Sequence, residues 1–185
     1  MCGRYIFYDE ENIDILNLIR KAADLLPAEL FAQIPLGEVF PGSLCFAGCL
    51  DRQKLHTEVM RWGIKGFKGG TVINARSESC FSSPFFRDMI PCALPASGYY
   101  EWSREKKKYL FRIPDHTMYL AGLYRQEDGE KHFVILTEQA EGPRAEIHDR
   151  QPVIFERSKA KAWCSSLEPM HLLEYSIQNR TITEA

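Results

Sequence analysis

A change of period along the chain constrains its fold most. Up to Pro27 the apolar residues recur at helical spacing, with Ile13, Leu16, Ile19, Ala23 and Leu26 on one face. Asp9, Glu10 and Glu11 put negative charge at the positive end of a helix dipole. The segment is therefore expected to start as a helix at Asp9 and to close at Pro27. Beyond Pro27 the period shortens to two, which predicts strands over roughly 57–64, 91–103, 108–113, 117–125, 131–137 and 152–156. The run "EDGE" at 127–130 carries an Asp-Gly hairpin signal. "REKKKY" reads as a second tight reversal, so Lys106, Lys107 and Lys108 are solvated turn charges rather than a targeting tract. "ERSKAKAWCSSLE" reads as a second, shorter helix. The class is α+β, a curved, mostly antiparallel sheet with helices at its edge.

At 185 residues the chain is expected to form one domain, 1–185, burying roughly 70% of its unfolded surface. It shows no internal repeat, low-complexity tract or linker, and no apolar run long enough for a membrane span. A net charge of -2 argues against a generally basic nucleic-acid binder but leaves room for a local basic groove. The six cysteines are Cys2, Cys45, Cys49, Cys80, Cys92 and Cys164, and the five histidines are scattered. Three residues separate Cys45 from Cys49, and no second pair lies nearby, so no paired zinc motif is matched. Without an export signal the thiols read as core filling in a reduced, cytoplasmic protein, and neither metal nor cofactor is expected.

The start, "MCGRYIF", is neither a secretory leader, since Arg4 and the tyrosines interrupt it, nor a myristoylation signal, since glycine stands at position 3. Position alone makes Cys2 a small buried hydrophobe on a first strand. Three polar stretches resist a simple core-and-surface account. In "VINARSES", Asn74, Arg76 and Glu78 alternate and so share a strand face, either as an exposed ion-paired edge or as a phosphate grip. In "PASGYYEWS", Glu101 sits among aromatics, where lost hydration raises a carboxyl toward the range useful for proton transfer; pairing to an arginine is the competing view. In "EIHDRQPVIF", His148, Asp149 and Arg150 stand at the mouth of a strand, and histidine is suited to moving protons near neutral pH.

Taken in order, "MCGRY", "RWGI", "NARSE", "GYYEW", "AGLYR" and "IHDRQPVIF" resemble the SOS response-associated peptidase (SRAP) family. The resemblance runs from Cys2 to about Phe155 and implies a barrel-like sheet flanked by a few helices. It further implies a DNA-damage protein that crosslinks to abasic sites in single-stranded DNA through Cys2. Removal of Met1 would expose an amine and a thiol on one residue, a 1,2-aminothiol able to close a thiazolidine around the sugar aldehyde. On the matching motifs Asn74 would hold the amine, while Glu101 and His148 would carry protons. Arg4, Arg76 and Arg150 would grip phosphates, Thr137 would add a hydroxyl contact, and Trp62 would stack on a base. Pro41, in "EVFPGS", falls at a family loop that meets DNA.

The chain departs from the family pattern after Trp62, where "RWGIKGFKGG" replaces "RWGLIP", and in "HDRQP", where glutamine stands for the usual methionine. The partner implied is abasic single-stranded DNA, with no membrane and a monomeric protein, nucleoid-associated if bacterial. Two other classes fit the residues: an N-terminal-cysteine hydrolase, and a non-covalent reader of single-stranded or modified DNA.

Overall fold

The computed structural model describes the chain apart from residues 1, 9–11, 52–53, 114–115 and 179, and at 51, 54 and 55 the backbone alone. In chain order the elements are β1 (Tyr5–Ile6), α1 (Ile13–Leu25), α2 (Ala28–Phe31), β2 (Glu38–Val39), β3 (Leu44–Asp51) and β4 (Lys54–Trp62). Next come β5 (Ile64–Lys65), β6 (Thr71–Val72), β7 (Asn74–Arg76), β8 (Ile90–Ala96), β9 (Gly98–Trp102) and β10 (Lys108–Arg112). The rest are β11 (Met118–Glu127), β12 (Glu130–Gln139), α3 (Pro143–Ile147), β13 (Arg150–Pro152), β14 (Ile154–Phe155), α4 (Arg157–Ser165), a 3-10 helix (Pro169–Tyr175) and β15 (Thr181–Glu184).

Strands β12, β4, β3, β8 and β11 follow one another and close, because β11 also pairs with β12, into a five-stranded barrel. Closure removes the free edges that an open sheet must otherwise protect. The barrel is mixed: β12 runs parallel to both β4 and β7, whereas β11 is antiparallel to β8 and β12. A second sheet, ordered β15-β10-β9-β1-β2, brings the start of the chain beside β9. This is the expected α+β, barrel-like arrangement. No helix among the described residues is long and apolar enough to cross a membrane.

Local chemistry explains most element ends. Asn12 caps α1, its Oδ1 accepting the Ile15 N–H at 3.1 Å, so the described helix starts later than Asp9. The acidic residues expected to open it lie outside the described residues. The hairpin between β11 and β12 turns at Asp128 and Gly129, with φ of 49° and 87°, as a type I′ turn requires. The single strand expected over 91–103 is two. Ser97 interrupts it, donating its N–H to Ile6 O and its Oγ–H to Phe7 O, so the chain leaves the barrel as β8 and enters the second sheet as β9. Helix α4 covers the barrel where Gly122 leaves room; a Cβ there would lie 2.9 Å from Cys92 Sγ. The Trp163 indole crosses that gap to donate to Cys92 O at 3.0 Å. All six cysteines are buried, and none forms a disulfide.

Candidate active site

Pairing of β1 with β9 builds the centre of the site. Tyr5 lies opposite Tyr99, and the Tyr100 N–H donates to Arg4 O at 2.9 Å, which carries the preceding residues back along β9 toward Glu101. Cys2 is fully buried. Burial pushes its thiol well up, the Glu101 charge adds to this, and the Arg4 backbone and the Arg180 guanidinium oppose it. The sulfur is therefore a neutral thiol at physiological pH. Glu101 is 4% exposed, and loss of solvent raises its carboxyl to about 8, with the Asp149 charge acting the same way. The expected desolvation of this carboxylate is thus observed: near pH 7 Glu101 holds a proton it can give.

Opposite the end of β9, the loop after α3 supplies His148. A cavity of about 760 Å³ separates them, lined on one side by Trp102 and Ser103 and on the other by Ile147, His148 and Asp149. His148 Nδ1 lies 3.0 Å from the Arg150 N–H and 3.0 Å from Asp149 Oδ1. Burial lowers its pKa, so the imidazole is neutral at pH 7 and able to accept a proton.

Asn74 belongs to a neighbouring layer. Its Nδ2 donates to Ile135 O at 3.4 Å across the parallel β7–β12 pair, while its buried Oδ1 meets no hydrogen-bond donor among the described residues. A buried acceptor left this way costs about 1–3 kcal/mol and marks a position where a donor is wanted. Arg76 follows on the exposed rim and makes no ion pair among the described residues.

Three of the expected DNA contacts are placed differently. Trp62 is fully buried; its ring stacks on Phe133 at 6.2 Å and 8°, meets Tyr5 at 5.5 Å, and its Nε1–H donates to Ile73 O. It is a core residue and offers no face to a base. Gly63, at φ 111°, turns the chain directly after it, which accounts for the Trp-Gly pair structurally. Arg150 is 8% exposed and engages Glu78 through both terminal nitrogens, at 2.6 and 2.9 Å, and also the carbonyl oxygen of Thr137. Thr137 is itself buried, with its hydroxyl between Ala75 O and Arg150. Arg150 and Thr137 thus brace β12 against β7 instead of facing a phosphate.

Pro41 occupies the exposed turn between β2 and β3. Beside it Phe40 is 43% exposed and lies over the Arg4 guanidinium at 4.4 Å, with Trp102 on the same cation at 4.9 Å. Arg4 also pairs with Glu38 at 3.3 Å. Phe40 and Trp102 are aromatic surfaces to which sequence reasoning gave no role, because in "EVFPGS" and "PASGYYEWS" attention fell on their neighbours Pro41 and Glu101. Arg180 was missed as well. It is buried, donates to Tyr99 Oη at 2.8 Å, and bears electrostatically on Cys2 from a tail with no distinguishing pattern.

Known proteins resemble this chain in fold or in sequence. The crystal structure of a phage-related protein from Bordetella bronchiseptica superposes with a TM-score of 0.77 over 100% of this chain and 94% of that one, at 21% identity. Abasic site processing protein YoqW of Bacillus subtilis is 30% identical over 182 residues, covering 88% of this chain and 80% of the relative. Abasic site processing protein YedK of Escherichia coli is 25% identical over 178 residues, covering 88% and 79%. Residues 1–181 match the family model described as SOS response associated peptidase (SRAP), and the chain belongs to that family.

Proposed function

We propose that this protein captures abasic sites in single-stranded DNA by closing a thiazolidine between Cys2 and the ring-opened sugar. The names of the relatives support abasic-site processing. The observation that carries the covalent reading is the placement of Cys2 beside a carboxyl that burial holds near pKa 8.

Once Met1 has been removed, the Cys2 α-amine, with an ordinary pKa of about 8, adds to the C1′ aldehyde to give a carbinolamine. Glu101 donates its proton to the departing hydroxyl, which leaves as water, and an imine remains. The neutral Cys2 thiol then adds to the imine carbon while its proton passes to the nitrogen. The ring closes with the net loss of one water. Because sulfur and nitrogen share a residue, this second step gains an effective molarity on the order of 10^5 M or more. His148, neutral and facing the cavity, takes the sugar hydroxyl proton as the ring opens. The buried acceptor Asn74 Oδ1 suits a terminal amine N–H. Arg4 and Arg76 meet flanking phosphates, and Phe40 takes over the stacking surface that Trp62 does not provide.

The test uses protein whose intact mass shows that Met1 is gone, mixed with an oligonucleotide bearing one abasic site. A species of protein plus oligonucleotide less one water, stable on a denaturing gel and absent in Cys2→Ala, is expected. Salt-labile binding alone would establish a non-covalent reader. No association at all would leave the hydrolase.

A further inference from the structure

A second group of chemistry-bearing side chains lies outside this site, on the β3–β4 hairpin. Register places Cys49 directly opposite His56, and Glu58 follows two residues along the same strand and hence on the same face. Ala47, opposite Glu58, leaves room for the carboxylate to lean in. Cys49 Sγ is 3.6 Å from His56 Nε2, and Glu58 Oε1 is 2.5 Å from the same nitrogen. One donor atom from each of the three residues falls within 4.8 Å of the other two. Sequence spacing alone matched no zinc motif, because a cross-strand pair carries no fixed separation in the chain.

We propose that this hairpin binds one zinc ion through Cys49 Sγ, His56 Nε2 and Glu58 Oε1, with water as the fourth ligand. Ligand bonds of about 2.3 Å to sulfur and about 2.0–2.1 Å to nitrogen give a tetrahedral sulfur–nitrogen edge of about 3.6 Å. The observed separation has that length. Only the carboxylate must move, opening its contact with the imidazole by rotation about its own side chain. Lys131 already holds the other carboxylate oxygen, Oε2, which orients Oε1 toward the imidazole as an outer partner of a metal ligand does. Soft sulfur, imidazole and one carboxylate in a small cluster select zinc over the hard, oxygen-preferring magnesium and calcium. His56 and Glu58 are half-buried, and His56 lines a cavity of about 360 Å³ with Thr57 and Cys164, which gives the ion and its water a route in. Binding replaces the Cys49 thiol proton with the metal and releases that proton to solvent.

Cobalt(II) is the probe. Full-length protein is stripped with a chelator, desalted and titrated with cobalt chloride. A sulfur-to-cobalt charge-transfer band with intense tetrahedral visible bands should saturate at one equivalent, and zinc chloride should bleach them. Glu58→Gln, which removes an anionic ligand, should weaken binding measurably while keeping the charge-transfer band. Cys49→Ser should abolish that band, and His56→Gln, at a half-exposed position that tolerates the change, tests the same site if Cys49→Ser fails to fold. Cys2→Ala should behave as the parent. A band that survives His56→Gln, or that vanishes in Cys2→Ala or Cys164→Ser, would overturn the assignment, as would the absence of any saturable signal.

Discussion

Glu78 and Glu101 are both carboxylates in polar stretches of the sequence, yet the fold treats them oppositely. Glu78 is half exposed and meets the Arg150 guanidinium at two points, and that pairing holds its carboxyl below the usual range. Glu101 lies on a strand covered on both faces, and desolvation moves it from 4.5 to about 8. One is fixed as a permanent charge that fastens β7 to β12; the other is kept able to exchange a proton at working pH. Environments that push two like groups apart in this way separate structural from chemical roles.

The largest effect that sharpens this contrast is on rate. Glu101→Gln should slow crosslinking by about 10²-fold or more, whereas Glu78→Gln should leave the rate within a few-fold. Time courses on denaturing gels decide it, and equal slowing in both variants would break the distinction. Next in size is Arg150→Ala, which should lose about 2 kcal/mol of stability in denaturant titrations as charged hydrogen bonds disappear. Lysine at the same position should recover little, since it cannot form the two-point contact.

Third, the two carboxylates should give stability opposite pH slopes. Glu101 binds its proton more tightly folded than unfolded, so its contribution is complete below about 4.5 and is lost as pH rises to about 8. Glu78 contributes above the ordinary carboxylate range and loses that contribution as pH falls through its lowered folded value. Melting temperatures of Glu101→Gln and the parent should therefore converge at acid pH and separate by several degrees near pH 8, the variant melting higher. The smallest effects belong to the rim. Phe40→Ala and Arg76→Ala should each weaken capture by about 1 kcal/mol, and only the second should reduce the salt slope, by about one unit.

Periodicity reveals those parts of the fold whose two faces differ. Helix α1 is readable from its period, although its dry face is rotated from the expected stripe, burying Ile15 and leaving Ile13 71% exposed, and the Asp128–Gly129 hairpin is readable from its two turn residues. Strand β3 was not readable: "LCFAGCLD" lacks alternation, as in a strand buried against neighbours on both sides. The parallel pairing of β12 with β4 and β7 leaves no local trace at all. Within the site, Glu101 among its aromatics could be anticipated from composition. The inward turn of Trp62 could not, since an Arg-Trp-Gly run looks the same whether the indole faces a base or Phe133.

The β1–β9 pairing also has a consequence in time. During synthesis the leading residues leave the ribosome long before residues 98–102 exist to receive them. On the proposed chemistry, that interval leaves the peptide bond before Cys2 open to an aminopeptidase, before pairing with β9 buries the Cys2 side chain. On that reading maturation and folding compete for the same few residues, and a chain that folds with Met1 in place would be stable but unable to close the ring.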